Sequence, residues 1–190
     1  YKGYKDFRFD MLHYLHQEHV EVNSENLFDE LTSKYLSVIR QFNNIDQNKL
    51  NQLIKQIKNT KNIYIIGVHY SSLPAKHLVL GLQDLGINTY FAYDYMQASH
   101  LYNTIHEDDL LIYFSIEGNQ NNVSRFFDLT NASKNTYIIT LNPKPKLLIE
   151  NTLILPGYTL SKQSIVDLQS IVVIFVELLL NMFHNTLKED

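Results

Sequence analysis

The 190-residue sequence has no cysteine, no tryptophan, only six glycines and four prolines, and a net charge of −4. Without cysteine there is no disulfide framework, no thiolate metal site and no thiol nucleophile, and a reducing cytoplasm is the expected setting. The scarcity of glycine bears on cofactors. A dinucleotide fingerprint after the first apolar run needs Gly-x-Gly-x-x-Gly, but only Gly67 is present, with His69 and Ser72 at the other two positions. A Walker pattern is absent too, so no cofactor is expected. The Lys and Arg residues are scattered, which argues against nucleic-acid binding by this segment itself. The N-terminal residues do not read as a secretory signal. Long apolar runs are also missing. The most apolar stretch, Ile165 to Phe183, is interrupted by Asp167, Gln169, Glu177 and Asn181. A membrane span needs roughly 20 mostly apolar residues. The stretch reads instead as a helix buried on several sides, against a sheet and against another subunit.

What is present organises the chain. The length suits one compact domain with an appendage. Asn23 or Ser24 is a plausible cap for a helix that aligns Leu27, Leu31, Tyr35, Val38, Ile39 and Phe42 on one face. Asp46 caps a second helix with Leu50, Leu53, Ile54 and Ile57 on its face. From Ile63 onward, short apolar runs alternate with helical segments. Strands are expected at Ile63–Ile66, Thr89–Ala92, Leu110–Phe114, Tyr137–Thr140 and Thr152–Leu155. Helices are expected at Ser72–Leu85, with Gly86 as its stop, at Asn122–Thr130 and from Ser164 onward, with a single turn at Leu147–Glu150. This alternation predicts a parallel sheet covered on both faces.

Two loops carry the chemistry: Gly67-Val68-His69-Tyr70-Ser71-Ser72 and Ser115-Ile116-Glu117-Gly118-Asn119-Gln120. Each follows an apolar run and leads into an expected helix. In open parallel sheets, ligands bind beyond the carboxyl ends of the strands, where helix N-termini present free N–H groups and partial positive charge. The hydroxyls of Ser71 and Ser72 either cap the helix or donate to a ligand oxygen. Glu117 puts a negative charge where an anion would sit. Either its side chain points into solvent or it enters the pocket. Inside, it would repel a dianionic phosphate at ~4 Å by several kcal/mol at an effective dielectric near 20. That exceeds the roughly 0.3–1 kcal/mol of a helix terminus. Glu117 would then favour a neutral or cationic group, or a hydroxyl that donates to it. Asn119 and Gln120 suit polyol recognition, since amides donate and accept. The candidate ligand-binding residues are Gly67, His69, Ser71, Ser72, Ser115, Glu117, Gly118 and Gln120. The acid–base candidates His69, His77, His100 and Glu117 share no spacing that would make them one constellation, so no catalytic residue is assigned. His13, His16 and His19 recur every third residue and read as a solvated helix face, not a metal site.

These loops and their order resemble a SIS (sugar isomerase) domain from roughly Asn44 to Phe183. The family's first loop, Gly-x-Gly-x-Ser, corresponds to Gly67-Val68-His69-Tyr70-Ser71, followed by Ala75. Its second, Ser-x-Ser-Gly-x-Thr, corresponds to Ser115–Gln120. Its third element is similar to Ile139-Thr140 and Lys144-Pro145-Lys146-Leu147. Gly3-Tyr4-Lys5-Asp6-Phe7-Arg8 and the helix after it resemble the end of the helix-turn-helix domain in RpiR-type transcriptional regulators. The resemblance implies a three-layer α/β/α sandwich with a five-stranded parallel sheet. It assigns residues 1–22 to the tail of the DNA-binding region and a linker, and residues 23–190 to a ligand-binding and dimerisation domain. It further implies a phosphosugar or related sugar derivative as ligand, a homodimer or homotetramer, DNA contact only through the preceding domain, and no enzymatic role. Three pocket positions depart from the pattern: His69 for a glycine, Glu117 for a serine and Gln120 for a threonine. Alternatives are a SIS module used only for oligomerisation and a sugar-phosphate isomerase.

Overall fold

Ile63–Gly67 (β1), Thr89–Ala92 (β2), Leu110–Phe114 (β3), Thr136–Thr140 (β4) and Thr152–Ile154 (β5) form one sheet in the computed structural model, which describes residues 26–118, 135–146, 149–164 and 168–188. Every pairing is parallel, in the order β2-β1-β3-β4-β5. β1, β3 and β4 are buried at every position. That is why they lack the polar alternation of a one-sided sheet. Ile63, Ile65, Leu110, Ile112, Phe114, Tyr137 and Ile139 feed the larger core. Their neighbours Tyr64, Ile66, Leu111, Tyr113 and Ile138 feed the smaller core on the opposite face. The expected five-stranded parallel α/β architecture is what the chain adopts.

The helices are Leu27–Arg40 (α1), Gln47–Asn59 (α2), Ser72–Asp84 (α3), Tyr95–Tyr102 (α4), Tyr158–Gln163 (α5) and Gln169–Lys188 (α6). Asp46 caps α2 as expected, its Oδ1 accepting from the N–H groups of Asn48 (3.0 Å) and Lys49 (3.2 Å). α3 stops at Gly86, where φ is +78°. There the N–H of Gly86 reaches the Gln83 carbonyl and that of Ile87 the Leu82 carbonyl, both at 2.9 Å, the paired bonds of a Schellman ending. α6 packs on α3, and Gly81 makes room for Leu180: a Cβ there would lie 2.3 Å from Leu180 Cδ1.

Several expectations change. α1 is capped by Asn26, not Asn23 or Ser24, and Asn26 makes no side-chain cap bond. The α1 stripe is also covered only near its end: Val38 and Phe42 are buried, while Leu27 and Leu31 remain 40% and 41% exposed. The apolar helix starts at Gln169, because Ser164 ends α5. Among the described residues α6 is long and apolar enough to cross a membrane, yet Ile171, Val172, Phe175, Val176, Leu179 and Phe183 are core residues. α4 and α5 were not expected. Both are short, and α4 buries only Ala98, so neither has a helical apolar period to read. Residues 1–22 and the expected helix Asn122–Thr130 lie outside the described residues, as does part of Leu147–Glu150.

Candidate functional site

β1 pairs with β2 on one side and β3 on the other. Chain connections leave these neighbours in opposite directions, which opens a crevice beyond their carboxyl ends. Gly67 is in register with Phe114. Strands lie about 4.8 Å apart, so the loop after β1 runs beside the loop after β3. The two candidate loops are therefore neighbours, although 48 residues separate Gly67 from Ser115.

The first loop is tight for a physical reason. A Cβ on Gly67 would lie 2.1 Å from the Ser71 carbonyl oxygen and 2.9 Å from Ala75 Cβ, so only glycine lets α3 turn back over β1. His69 adopts φ +56°, a left-handed conformation that costs a non-glycine residue on the order of 1 kcal/mol. It thus keeps the backbone that a glycine would take and adds an exposed ring, which meets Tyr95 edge-on at 6.0 Å. Ser72 Oγ donates to the His69 carbonyl at 2.6 Å, so its one proton is committed within the loop. Ser71, 9% exposed, is the N-cap residue of α3, and its hydroxyl makes no capping bond.

The second loop is clamped from β4. The Ser115 N–H donates to the Ile139 carbonyl (3.0 Å), and the Gly118 N–H donates to Ser115 Oγ (3.2 Å). That bond uses an acceptor lone pair of Ser115 and not its proton. Thr140 Oγ1 donates to the Ile116 carbonyl (3.0 Å) and accepts from the Asn142 N–H (3.1 Å). Asn142 Nδ2 donates to the Glu117 carbonyl (2.8 Å). Gly118 sits at φ +55°, and a Cβ there would strike Pro145 Cβ at 2.6 Å. Thr140, Asn142 and Pro145 thus hold the loop's shape. Thr140 and Pro145 belong to the third element of the resemblance and Asn142 lies between its two parts, but no reading of their residue types alone assigns them that work.

The Glu117 side chain neither points freely into solvent nor stands unpaired in the crevice. Its Oε1 lies 2.6 Å from Lys162 Nζ, and its Oε2 accepts from the Tyr158 hydroxyl at 3.1 Å. Lys162 Nζ also sits 5.1 Å from the centre of the Tyr158 ring, within cation–π range. Burial alone would lower the Lys162 pKa; the hydrogen bonds and charges of Glu117 and Tyr158 outweigh it and hold the ammonium above the usual lysine range. The sequence reading missed both partners, since α5 itself was missed. The Glu117 carboxylate is thus paired with a cation from outside its loop.

The remaining candidates scatter. His77 on α3 lies 3.8 Å from Glu177 on α6, and His100 is exposed on α4. His69, His77, His100 and Glu117 do not converge. Asp94, the nearest acidic residue after β2, caps α4 by accepting from the Gln97 N–H at 2.8 Å. Among the described residues no three His, Asp or Glu side chains form a metal-binding group. Asn119, Gln120, His13, His16 and His19 lie outside them. A cavity of about 550 Å³ opens to one side, between α1 and residues 154–163, with Val38, Gln41, Leu155 and Leu160 in its wall. Tyr158 borders both this cavity and Glu117.

No protein-family profile and no curated protein matches the sequence. Solved structures do. The Vibrio vulnificus NanR protein complexed with ManNAc-6P superposes with TM-score 0.69 at 19% identity, over 100% of this chain and 71% of that one. The sugar isomerase domain of an RpiR transcription factor from Sphaerobacter thermophilus gives 0.65 at 17% identity, over 86% and 93%. A Methanococcus jannaschii protein whose structure infers a 3-hexulose-6-phosphate isomerase function gives 0.61 at 22%, over 85% and 90%. The chain has the fold of the SIS domain, which serves regulators and isomerase-like proteins alike.

Proposed function

We propose that this chain is the effector-sensing domain of an RpiR-type transcriptional regulator and binds a phosphosugar or related sugar derivative between its two loops. The observation that carries the reading is the meeting of the Ser71 and Ser115 loops at the crevice between β1 and β3. Ser71, the α3 N-terminus and Ser115 supply donors for the ligand's anionic or hydroxyl oxygens; Glu117 and Gly118 complete the second loop's side. The NanR neighbour, which spans the whole chain and holds ManNAc-6P, supports this choice over a module used only for assembly.

A sensing domain alters DNA binding only if the ligand favours one arrangement of the assembly over another. Exposed apolar residues favour such an assembly: Leu27, Phe28 and Leu31 on α1, Leu73 and Leu80 on α3, and Leu178 on α6. Patches of this kind fit a second copy of the chain, as a dimer or tetramer. DNA contact belongs to a preceding domain, and the setting is the cytoplasm. An isomerase would need a positioned acid and base. Glu117 has both oxygens engaged, and no histidine among the described residues meets it.

The test is a calorimetric and thermal-shift panel of sugar phosphates, amino sugars and free sugars, with N-acetylmannosamine 6-phosphate among them. At least one member should bind, and Ser71→Ala and Ser115→Ala should each weaken it. A stable oligomer that responds to none of them would favour the assembly-only reading, and turnover of a sugar phosphate would favour the isomerase.

A further inference from the structure

We infer that the cleft between α1 and the outer edge of β5 is a docking groove for a short extended peptide that carries an apolar residue and a carboxylate. β4 separates β5 from β3, so the groove is distinct from the crevice between β1 and β3. The inference goes beyond the sugar-binding reading and does not depend on it.

The backbone of β5 carries the argument. Among the described residues β5 pairs with β4 alone, so its other edge is open. Backbone groups of alternate residues face the same edge of a strand. The Asn151 carbonyl and the Leu155 N–H bond to β4, at 3.2 and 2.8 Å. The Thr152 carbonyl faces the other way and accepts from Lys49 Nζ at 3.3 Å. By the same alternation the N–H and carbonyl of Ile154 face outward. No described residue takes them, Ile154 is 41% exposed, and it lines the cavity of about 550 Å³. An open edge of this kind is where an extended chain adds as a further strand. The rest of the wall suits that occupant. Its floor is apolar, with Val38, Leu155 and Leu160. Its rim carries the side-chain amides of Gln41, Asn44 and Gln163, which find no partner among the described residues and can both donate to and accept from a peptide backbone. Lys34 is the one charged residue of the wall, and no Asp or Glu stands there. Glu30 takes one of its donors at 2.6 Å, which leaves two for a carboxylate. From Lys34 to Gln41 the helical path rises roughly 10 Å, the length of about three extended residues. α1 closes on the turn after β5 at Gly157, where a Cβ would lie 3.0 Å from Val38 Cγ1, so the groove takes a short segment.

Strand addition has a signature that other contacts lack: only alternate N–H groups of the peptide face the protein. The experiment selects linear heptapeptides from a phage-displayed library on the whole chain and measures the synthetic peptides by fluorescence anisotropy. An N-methyl group is then moved along a selected peptide. Binding should weaken about tenfold at alternate positions and by less than about threefold at those between. Ile154→Pro removes the outward donor at a place where an edge strand tolerates proline, and should also weaken binding about tenfold. Circular dichroism checks the fold of this variant; the N-methyl scan needs no variant and decides by itself if the fold is lost. Lys34→Met should weaken binding about threefold and flatten its salt dependence. Binding without a two-residue period, or binding that survives in a folded Ile154→Pro, overturns the proposal. A library that yields no binding peptide overturns it as well. So does self-association of the chain that Ile154→Pro abolishes, which would put a second copy in the groove. None of these readouts involves a sugar, so failure here leaves the sugar-binding reading where it stands.

Discussion

Glu117 and Lys162 meet at 2.6 Å across 45 residues of sequence, tying the loop after β3 to the short helix after β5. Both ends are held: Asn142 grips the backbone of Glu117 and Tyr158 its second carboxylate oxygen. The carboxylate that looked adverse to anions is paired with a cation from outside its loop.

The pair should matter little for stability at neutral pH. Exposed ion pairs contribute roughly 0–1 kcal/mol, so Lys162→Met should shift the denaturation midpoint only slightly. Its pH dependence has a definite sign. The folded-state pKa of Lys162 is raised, so its contribution is fully present below the ordinary lysine value of 10.5 and is lost as pH climbs through the higher folded value. Wild type and Lys162→Met should converge in stability above that range, as followed by chemical denaturation. A gap that widens with pH would contradict the assignment.

Gly67→Ala should be severe. The new methyl meets a backbone carbonyl at 2.1 Å, and that atom cannot step aside as a flexible side chain can. A cost of about 3 kcal/mol is expected, or a fall in Tm of about 6–12 °C for a domain of this size. Gly81→Ala offers a control, since its nearest clash is with the flexible end of Leu180 and should cost less.

His69 reverses the usual order of glycine and alanine. At φ +56° a side chain is strained, so His69→Gly should be more stable than His69→Ala by about 1 kcal/mol, although both lose the ring contact with Tyr95. Removing the ring also restores the open first loop of the resemblance, and phosphosugar affinity should rise in His69→Gly. Urea denaturation and calorimetry measure the two effects separately.

Thr140→Val keeps the shape of the side chain but removes the hydroxyl that bridges the Ile116 carbonyl and the Asn142 N–H. The Asn142 N–H and the Ile116 carbonyl keep their own bond at 3.2 Å, so the loss of the two hydroxyl bonds should cost about 1 kcal/mol. The loss should be concentrated in the second loop, so hydrogen exchange at 115–118 should accelerate before exchange in β1 does. Uniform acceleration would mean that Thr140 supports the sheet and not the loop.

The fold was largely legible in the residues. Runs such as Ile63–Ile66 and Leu110–Phe114 are too short and too apolar for anything but buried strands, and Gly86 marks the end of α3 through local backbone geometry. α4 and α5 were not legible, because helices of eight and six residues show no usable period. The stripe on α1 was read from its period, yet among the described residues Leu27 and Leu31 in its first half stay exposed. Periodicity reports that a face is apolar; it does not say what covers it. At the site, the positions of Ser71, Ser115 and Glu117 followed from the loops. The clamp by Thr140 and Asn142 did not, because it depends on β4 lying beside β3.

Local chemistry decided the order of strands and helices, their parallel arrangement and the two loops that flank the crevice, since side-chain period, caps and turns act over a few residues. Only the tertiary structure decided the electrostatics of those loops. Coulomb energy depends on separation in space, and the folded sheet brings Lys162 to 2.6 Å from Glu117 although 45 residues of chain lie between them.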